Sequence, residues 1–247
     1  MLYLLRKKTP KLVHASLLLF GTVLSLSSLR AQERILHQED HDNKPYYFGI
    51  TLSAASARFD LEHHSSFLQQ DSVMVAEPLN SPAFALGLVG TLKLVGRLEA
   101  RFNPQIIFAD RTINYKLRYA ENDLQGTNVD KRIESTIVTF PVNLKFNSDR
   151  IGNFRAYVFG GGKFDFDLAS NARARKSEDL VKINKFDRGI EAGMGLNFYF
   201  PSFIFSPEIK ISRGINNIHS RDESLKYSSV LDRIQSRMII FSIHLEG

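Results

Sequence analysis

The sequence has no cysteine and no tryptophan among its 247 residues, and beyond residue 31 it has no long apolar run. Each absence closes a class. Without cysteine there are no disulfides, no thiolate metal sites, no cysteine nucleophile, and no acylated cysteine to anchor a lipoprotein. Without ~18 consecutive apolar residues in the body, no helix there crosses a bilayer. A basic surface is lacking too. The net charge is +6 and the isoelectric point about 9.5. Residues 1–31, however, carry Arg6, Lys7, Lys8, Lys11 and Arg30 and no acid. Setting those five aside leaves 27 basic residues against 26 acidic. No concentrated basic face is left to hold a phosphate backbone, so nucleic acid is not an expected partner.

The first segment has the form of a cleaved targeting sequence. Residues 1–11 are basic, residues 12–29 are apolar around Leu17-Leu18-Leu19-Phe20, and Ala31-Gln32 offers a cleavage point. Leu29 and Arg30 are unusual just before such a site. The competing reading is an uncleaved anchor, for which the stretch is marginal against the ~20 residues a spanning helix needs. The expected organisation is a signal peptide at 1–31, a loose periplasmic tail at 32–45 and a folded body at 46–247.

The body alternates with period two. Val138, Phe140, Val142, Leu144 and Phe146 share one face, against Thr139, Asn143 and Lys145 on the other. Ile190, Ala192, Met194, Leu196, Phe198 and Phe200 oppose Glu191 and Asn197. Phe203, Phe205, Pro207, Ile209 and Ile211 oppose Ser206, Glu208 and Lys210. Ile239, Phe241, Ile243 and Leu245 oppose Ser242, His244 and Glu246. Phe48, Ile50, Leu52 and Ala54 form a fifth apolar face, and Phe84, Leu86 and Leu88 a weaker sixth. Leu98, Ala100, Phe102, Ile106 and Phe108 oppose Arg97, Glu99, Arg101, Asn103 and Gln105. The eighth segment, 154–168, runs through Gly160-Gly161-Gly162 to Phe164 and Phe166 against Asp165 and Asp167. Each is about the ~10 residues a tilted membrane strand requires.

The connections fix the topology. Those near 90–96, at 147–153 and at 201–202 are short, whereas 60–80, 120–134, 169–185 and 216–235 are long and polar. Strict short/long alternation over an even strand count predicts an all-β fold: an eight-stranded antiparallel transmembrane β-barrel. Short turns and both termini are then periplasmic, long loops lie outside, and the setting is the outer membrane and its lipid. A soluble sandwich gives no reason to sort its loops this way. Aromatic residues fall into two expected girdles. Tyr46, Tyr47, Phe146, Phe154, Phe198, Tyr199, Phe200 and Phe203 lie at the periplasmic side, and Phe59, Tyr115, Tyr119, Phe164 and Phe166 at the outer side.

Eight strands leave an interior just wide enough for side chains. The inward set Arg97, Glu99, Arg101, Lys145, Lys163, Asp165, Glu191, Glu208 and Lys210 mixes both signs, which predicts internal pairing and a plugged barrel. The alternative is a proton or ion path. Function is then expected on loops or the outer wall.

Catalysis and metal binding find little support. His63/Ser65 and His64/Ser66 have the spacing used by a barrel enzyme that deacylates lipid A. A nucleophilic serine also needs an orienting acid within reach, and Glu62 is an immediate chain neighbour that points away. His37 and His41 are too few to hold a metal. Gly160-Gly161-Gly162 is no phosphate loop, because a strand continues through it and no Gly-Lys-Ser/Thr follows. No catalytic, cofactor or metal residues are expected, and no cofactor.

The run Glu134-Ser135-Thr136-Ile137-Val138-Thr139-Phe140-Pro141-Val142-Asn143-Leu144-Lys145-Phe146 leads into Ser148-Asp149-Arg150, then Asn153-Phe154-Arg155-Ala156-Tyr157, the triple glycine and Asp167-Leu168-Ala169-Ser170. It resembles the PorT (SprT) family of outer-membrane barrels of the Bacteroidetes. Arg111-Thr112-Ile113-Asn114-Tyr115, the segment from Gly193 to Pro201, and Ser206-Pro207-Glu208 extend the resemblance over nearly the whole mature chain. It implies a non-enzymatic component required for type IX secretion, the export of sorting-domain proteases and adhesins that serves gliding in some relatives. Other components of that machine would be its partners. The chain departs from the usual assembly signal by ending Leu245-Glu246-Gly247 rather than in an aromatic residue. Two other readings stay open: a generic surface barrel (adhesin or envelope-stabilising protein) and a lipid A-modifying enzyme.

Overall fold

An extended segment with one apolar face cannot satisfy its backbone N–H and C=O groups alone, least of all in hydrocarbon, so each segment must pair on both edges. In the computed structural model they do. The structure describes residues 35–65, 67, 72–119, 126–170, 181–222 and 225–247; the expected signal peptide lies outside them. From residue 37 onward the chain forms one compact unit.

Ten strands are present: β1 (Tyr46–His63), β2 (Val73–Leu79), β3 (Ser81–Val95), β4 (Leu98–Phe102), β5 (Gln105–Leu117), β6 (Asn128–Asn147), β7 (Phe154–Asp167), β8 (Phe186–Tyr199), β9 (Ile204–Gly214) and β10 (Leu231–Glu246). They make eight staves. β2 and β3 are one stave broken at Asn80, and both pair with β5. β4 and β5 are one stave broken at Asn103-Pro104, where proline has no N–H to give the ladder, and both pair with β6. Every pairing is antiparallel, and β1 pairs with both β10 and β3, which closes the ring.

The staves are longer than a membrane needs. β6 has 20 residues, ~65 Å of chain at ~3.4 Å per residue. Tilted, that is about twice the ~25 Å height of an apolar band. Strand therefore consumes much of what reads as loop in the sequence: β1 runs to His63, β2 starts at Val73, and β6 starts at Asn128.

The reason is a change of phase along the staves. In β6, Val142 and Leu144 face outward and are exposed while Asn143 and Lys145 are buried inside. Farther up the same strand, Val129, Ile133 and Ile137 are the buried residues. Asp130, Arg132 and Glu134 are not. β5 switches between exposed Phe108 and buried Ile113, Tyr115 and Leu117. The lower part is built for lipid outside and polar groups inside. The upper part is built for water outside and an apolar core inside.

This corrects the girdles. Tyr46, Phe146, Phe200, Phe203, Tyr119 and Phe164 are exposed as expected, but Tyr47, Tyr199, Phe59 and Tyr115 are buried inward. Each of the four sits at an inward position of the period-two pattern, which overrides any general preference of aromatic rings for an interface. Arg97 is corrected the opposite way. It lies in the turn between β3 and β4, half-exposed, and pairs with Asp149 on the neighbouring turn at 2.5 Å.

The triple glycine tests the facing. Gly160 points outward, where an added Cβ meets only the Glu191 carbonyl oxygen at 3.7 Å; at Gly161 it would fall inside contact distance of the Val142 carbonyl. Gly161→Ala should lower unfolding stability by about 1–3 kcal/mol, as overpacking does. Gly160→Ala should stay within about 0.5 kcal/mol of the parent. Urea titration of the refolded barrel in detergent reads both, and equal effects would reverse the assignment of faces.

Candidate functional site: a closed lumen with two plugs

The inward residues near the short-turn end form a connected polar network. Arg101, from β4, donates to Glu208 of β9 at 2.6 Å and lies 3.4 Å from Glu246 of β10. Tyr157 donates to the same Glu208 oxygen at 2.9 Å, and His244 Nε2 is 3.3 Å from it. Lys145 sits 3.4 Å from Glu99 and 4.2 Å from the Tyr157 ring centroid, while Tyr47 donates to Glu99 at 2.8 Å. One step higher, Lys210 lies 3.3 Å from Glu191, which also accepts from Asn143. Higher still come Lys163 with Asp165, and Arg111 with Ser135, Asp167 and the Phe59 ring. These charges are nearly all inaccessible to solvent. Such pairs add little net stability, but removing one partner strands the other at a cost of about 3–5 kcal/mol.

Eight of the nine residues expected inside are therefore brought together, Arg97 being the exception. Missing from that expectation were Arg111, Asp167, His244 and Glu246, and the tyrosines Tyr47 and Tyr157. His244 and Glu246 were visible as the polar face of the final strand, and Tyr47 was hidden by reading aromatic rings as interfacial.

The far end is closed by apolar packing. The connections after β7 and β9 send Val181, Ile183, Ile218, Tyr227 and Val230 down onto inward-facing Phe59, Ile113, Tyr115, Ile133 and Ile234. Ile183 bridges to His219, and Asn184 N–H donates to the Ile218 carbonyl at 2.7 Å, so the two connections hold each other across the opening. The Tyr115 hydroxyl donates to the Tyr227 carbonyl at 3.2 Å. Within this plug the Ser228 hydroxyl and His219 Nε2 are hydrogen-bonded at 2.8 Å. Burial lowers the pKa of His219. Ser228 is fully buried and also accepts from the Asp222 N–H. The pair fastens the plug and has no opening to a substrate.

The near end is closed by the N-terminal segment. The sequence leads to the expectation of a loose tail, but residues 39–43 form a 3-10 turn seated under the mouth. Asp42 takes Arg150 at 3.2 Å and Arg155 at 3.1 Å. Arg150 also donates to the carbonyl oxygens of His37 and Gln38 and stacks 3.8 Å over Tyr199. Lys93 donates to the His41 carbonyl. The His41 ring lies 4.4 Å from the Tyr47 ring and is 3% exposed, with neither nitrogen bonded. Asp42 and Arg150 are 108 residues apart, which is why the contact is invisible in the sequence.

The cavities agree with this closure. Inside, a space of about 20 Å³ between Arg111, Asp165, Asp187 and Ser236 has room for about one water. A groove of about 520 Å³ lies on the outer wall among Val158, Met194, Leu196 and Ile209, facing hydrocarbon.

The histidine–serine candidates do not converge. His63 Nε2 donates to the Ala76 carbonyl at 3.1 Å and its ring packs on Phe67. Glu62 is turned out, 3.8 Å from Arg233, and Ser65 is exposed. Ser66 lies outside the described residues. His37 is held at the mouth through its backbone and His41 is buried against Tyr47. Among the described residues, no three histidine or acidic side chains gather as metal ligands.

A closed antiparallel ring with an apolar outer band and a polar, paired interior is an outer-membrane β-barrel. The chain belongs to the family described as "Outer membrane protein beta-barrel domain", whose profile matches residues 36–220. No curated protein sequence matches the chain. Among solved structures it is similar to OprG from Pseudomonas aeruginosa, with 14% identity and a TM-score of 0.42 over 80% of this chain and 94% of that one. The Neisserial surface protein A gives 10% and 0.40 over 80% and 96%. Ail of Yersinia pestis, in complex with the heparin analogue sucrose octasulfate, gives 12% and 0.38 over 83% and 100%.

The cap at the near mouth should be acid-sensitive. Burial, reinforced by the Lys93 ammonium, lowers His41 from 6.5 to about 4. The undocked segment then binds the proton more tightly, so docking is intact above pH 6.5 and weakens as pH falls from 6.5 towards 4. A nitroxide on Asp40→Cys, in a chain with no other cysteine, should be ordered at neutral pH and mobile near the acid end of that window. His41→Gln should abolish the pH dependence; an unchanged transition in that variant would rule His41 out as the cause.

Proposed function

We propose that the protein is a non-conducting, non-catalytic surface barrel, an adhesin or envelope-stabilising protein that acts through contacts made by its ends and outer wall. The observation that supports this reading is the double closure. A paired charge network fills the lumen, an apolar plug covers one mouth, and an N-terminal cap covers the other. Neither an aqueous path nor an accessible reactive constellation suits this arrangement, so recognition falls to the surface. On this reading the short turns and both termini face the periplasm and the long connections face outward.

A second reading is favoured by one feature, the resemblance of nearly the whole mature chain to the PorT family. There the same barrel is a component required for type IX secretion, and its contacts are with other components of that machine.

Reconstituted in planar bilayers at neutral pH, the barrel should give no stepwise conductance; sustained channel openings would overturn the non-conducting reading. Deleting the gene separates the two roles. Normal export of sorting-domain proteins with altered surface binding or envelope integrity fits a surface barrel, and loss of that export fits the secretion component.

A further inference from the structure

Four arginines lie side by side on the outer wall where the apolar band ends. Arg58 of β1 is the direct cross-strand partner of Arg237 of β10, and Arg237 is the direct partner of Arg213 of β9. Arg188 of β8 continues the row, its carbonyl accepting from the N–H of Ile215, two residues beyond Arg213. All four occupy outward positions. One outward step below them lie exposed Ile190, Ile211 and Ile239, with Phe241 below Ile239. The row therefore marks the first polar level above hydrocarbon on β8, β9 and β10, and on β1 it stands one step above outward-facing Ser56.

Like charges directly opposite one another on a sheet are destabilising, and here three guanidiniums stand in successive register. Among the described residues only Arg213 of the four has a carboxylate, Asp60 at 3.1 Å. The guanidinium groups of Arg58, Arg188 and Arg237 make no ion pair or hydrogen bond with the described residues. The level is not basic all round the barrel: on β5 and β6 the paired outward residues are Asp110 and Glu134.

An arginine row with a single carboxylate partner at a lipid boundary has a natural counter-ion. Guanidinium binds phosphate with two parallel hydrogen bonds. The bond strengthens at the edge of hydrocarbon, where the effective dielectric falls. The aliphatic stems lie along apolar surface while the heads reach up to the headgroup level. We propose that Arg58, Arg188, Arg213 and Arg237 form a binding site for the phosphate groups of an outer-leaflet glycolipid, with its acyl chains lying along Ile190, Ile211, Ile239 and Phe241. The site needs only that the long-loop end face the outer leaflet. It holds whether the barrel serves surface contacts or secretion.

The test uses the full mature chain in phosphatidylcholine nanodiscs, with bound lipid counted by native mass spectrometry. Bisphosphorylated lipid A should bind at least about tenfold more tightly than the same lipid dephosphorylated, a difference of about 1.4 kcal/mol. Arg213→Gln/Arg237→Gln should erase that preference, the corresponding lysine pair should keep part of it, and Arg97→Gln at the opposite end should leave it intact. Heat-modifiable electrophoretic mobility confirms that each variant is folded. Should the double variant fail to fold, Arg58→Gln and Arg237→Gln singly should each weaken binding about threefold. Equal binding of the two lipids, or wild-type preference in the glutamine variants, would overturn the proposal. So would displacement by millimolar inorganic phosphate, which would make this a free-ion site.

Discussion

The closed backbone ladder is the constraint on which everything else rests. Inside a bilayer no water is available to an unpaired amide, and each orphaned group costs several kcal/mol. The first and last strands must therefore meet, and they do along nearly the full length of β1 and β10. The two breaks in the ring's staves differ: at Asn103-Pro104 the alternation and the β6 neighbour continue unchanged, whereas at Asn80 the register on β5 shifts by one residue and β2 pairs with β5 alone.

Closure makes an inside, and eight staves make it narrow. Charged side chains confined there have no water to share, so they bond to one another: Arg101 with Glu208 and Glu246, Lys145 with Glu99, Lys210 with Glu191. The Arg101 pairs reach across the lumen between staves that are not neighbours, whereas Lys145–Glu99 and Lys210–Glu191 tie adjacent staves together on their inner face. Above the apolar band the same geometry meets water instead of lipid, and the chemistry of the two faces exchanges. Phe59, Ile113 and Ile133 then line the inside and collect loop residues into a plug. The arginine row sits at that exchange, where the outer face first becomes polar.

Much of the fold was legible because strand periodicity is a local property. The exposed faces of β6, β8 and β10 are the alternations visible in the chain, and the even count with its short and long connections leads to the ring. The phase change was legible as well, in Phe59 between Arg58 and Asp60 or Ile133 between Arg132 and Glu134. A search for outward apolar positions passes over it and assigns those residues to loops.

What the amino-acid order determines by itself is facing: which side chains share a side of each stave, and how many staves there are. That follows from a period of two residues and needs no partner. Which residues meet was decided only by tertiary closure. Asp42 reaches Arg150 and Arg155, Arg101 reaches Glu246, and Arg58, Arg237 and Arg213 fall in line because registers across the ring are set by pairing between strands far apart in the chain. No local pattern encodes a register that depends on the whole cylinder shutting.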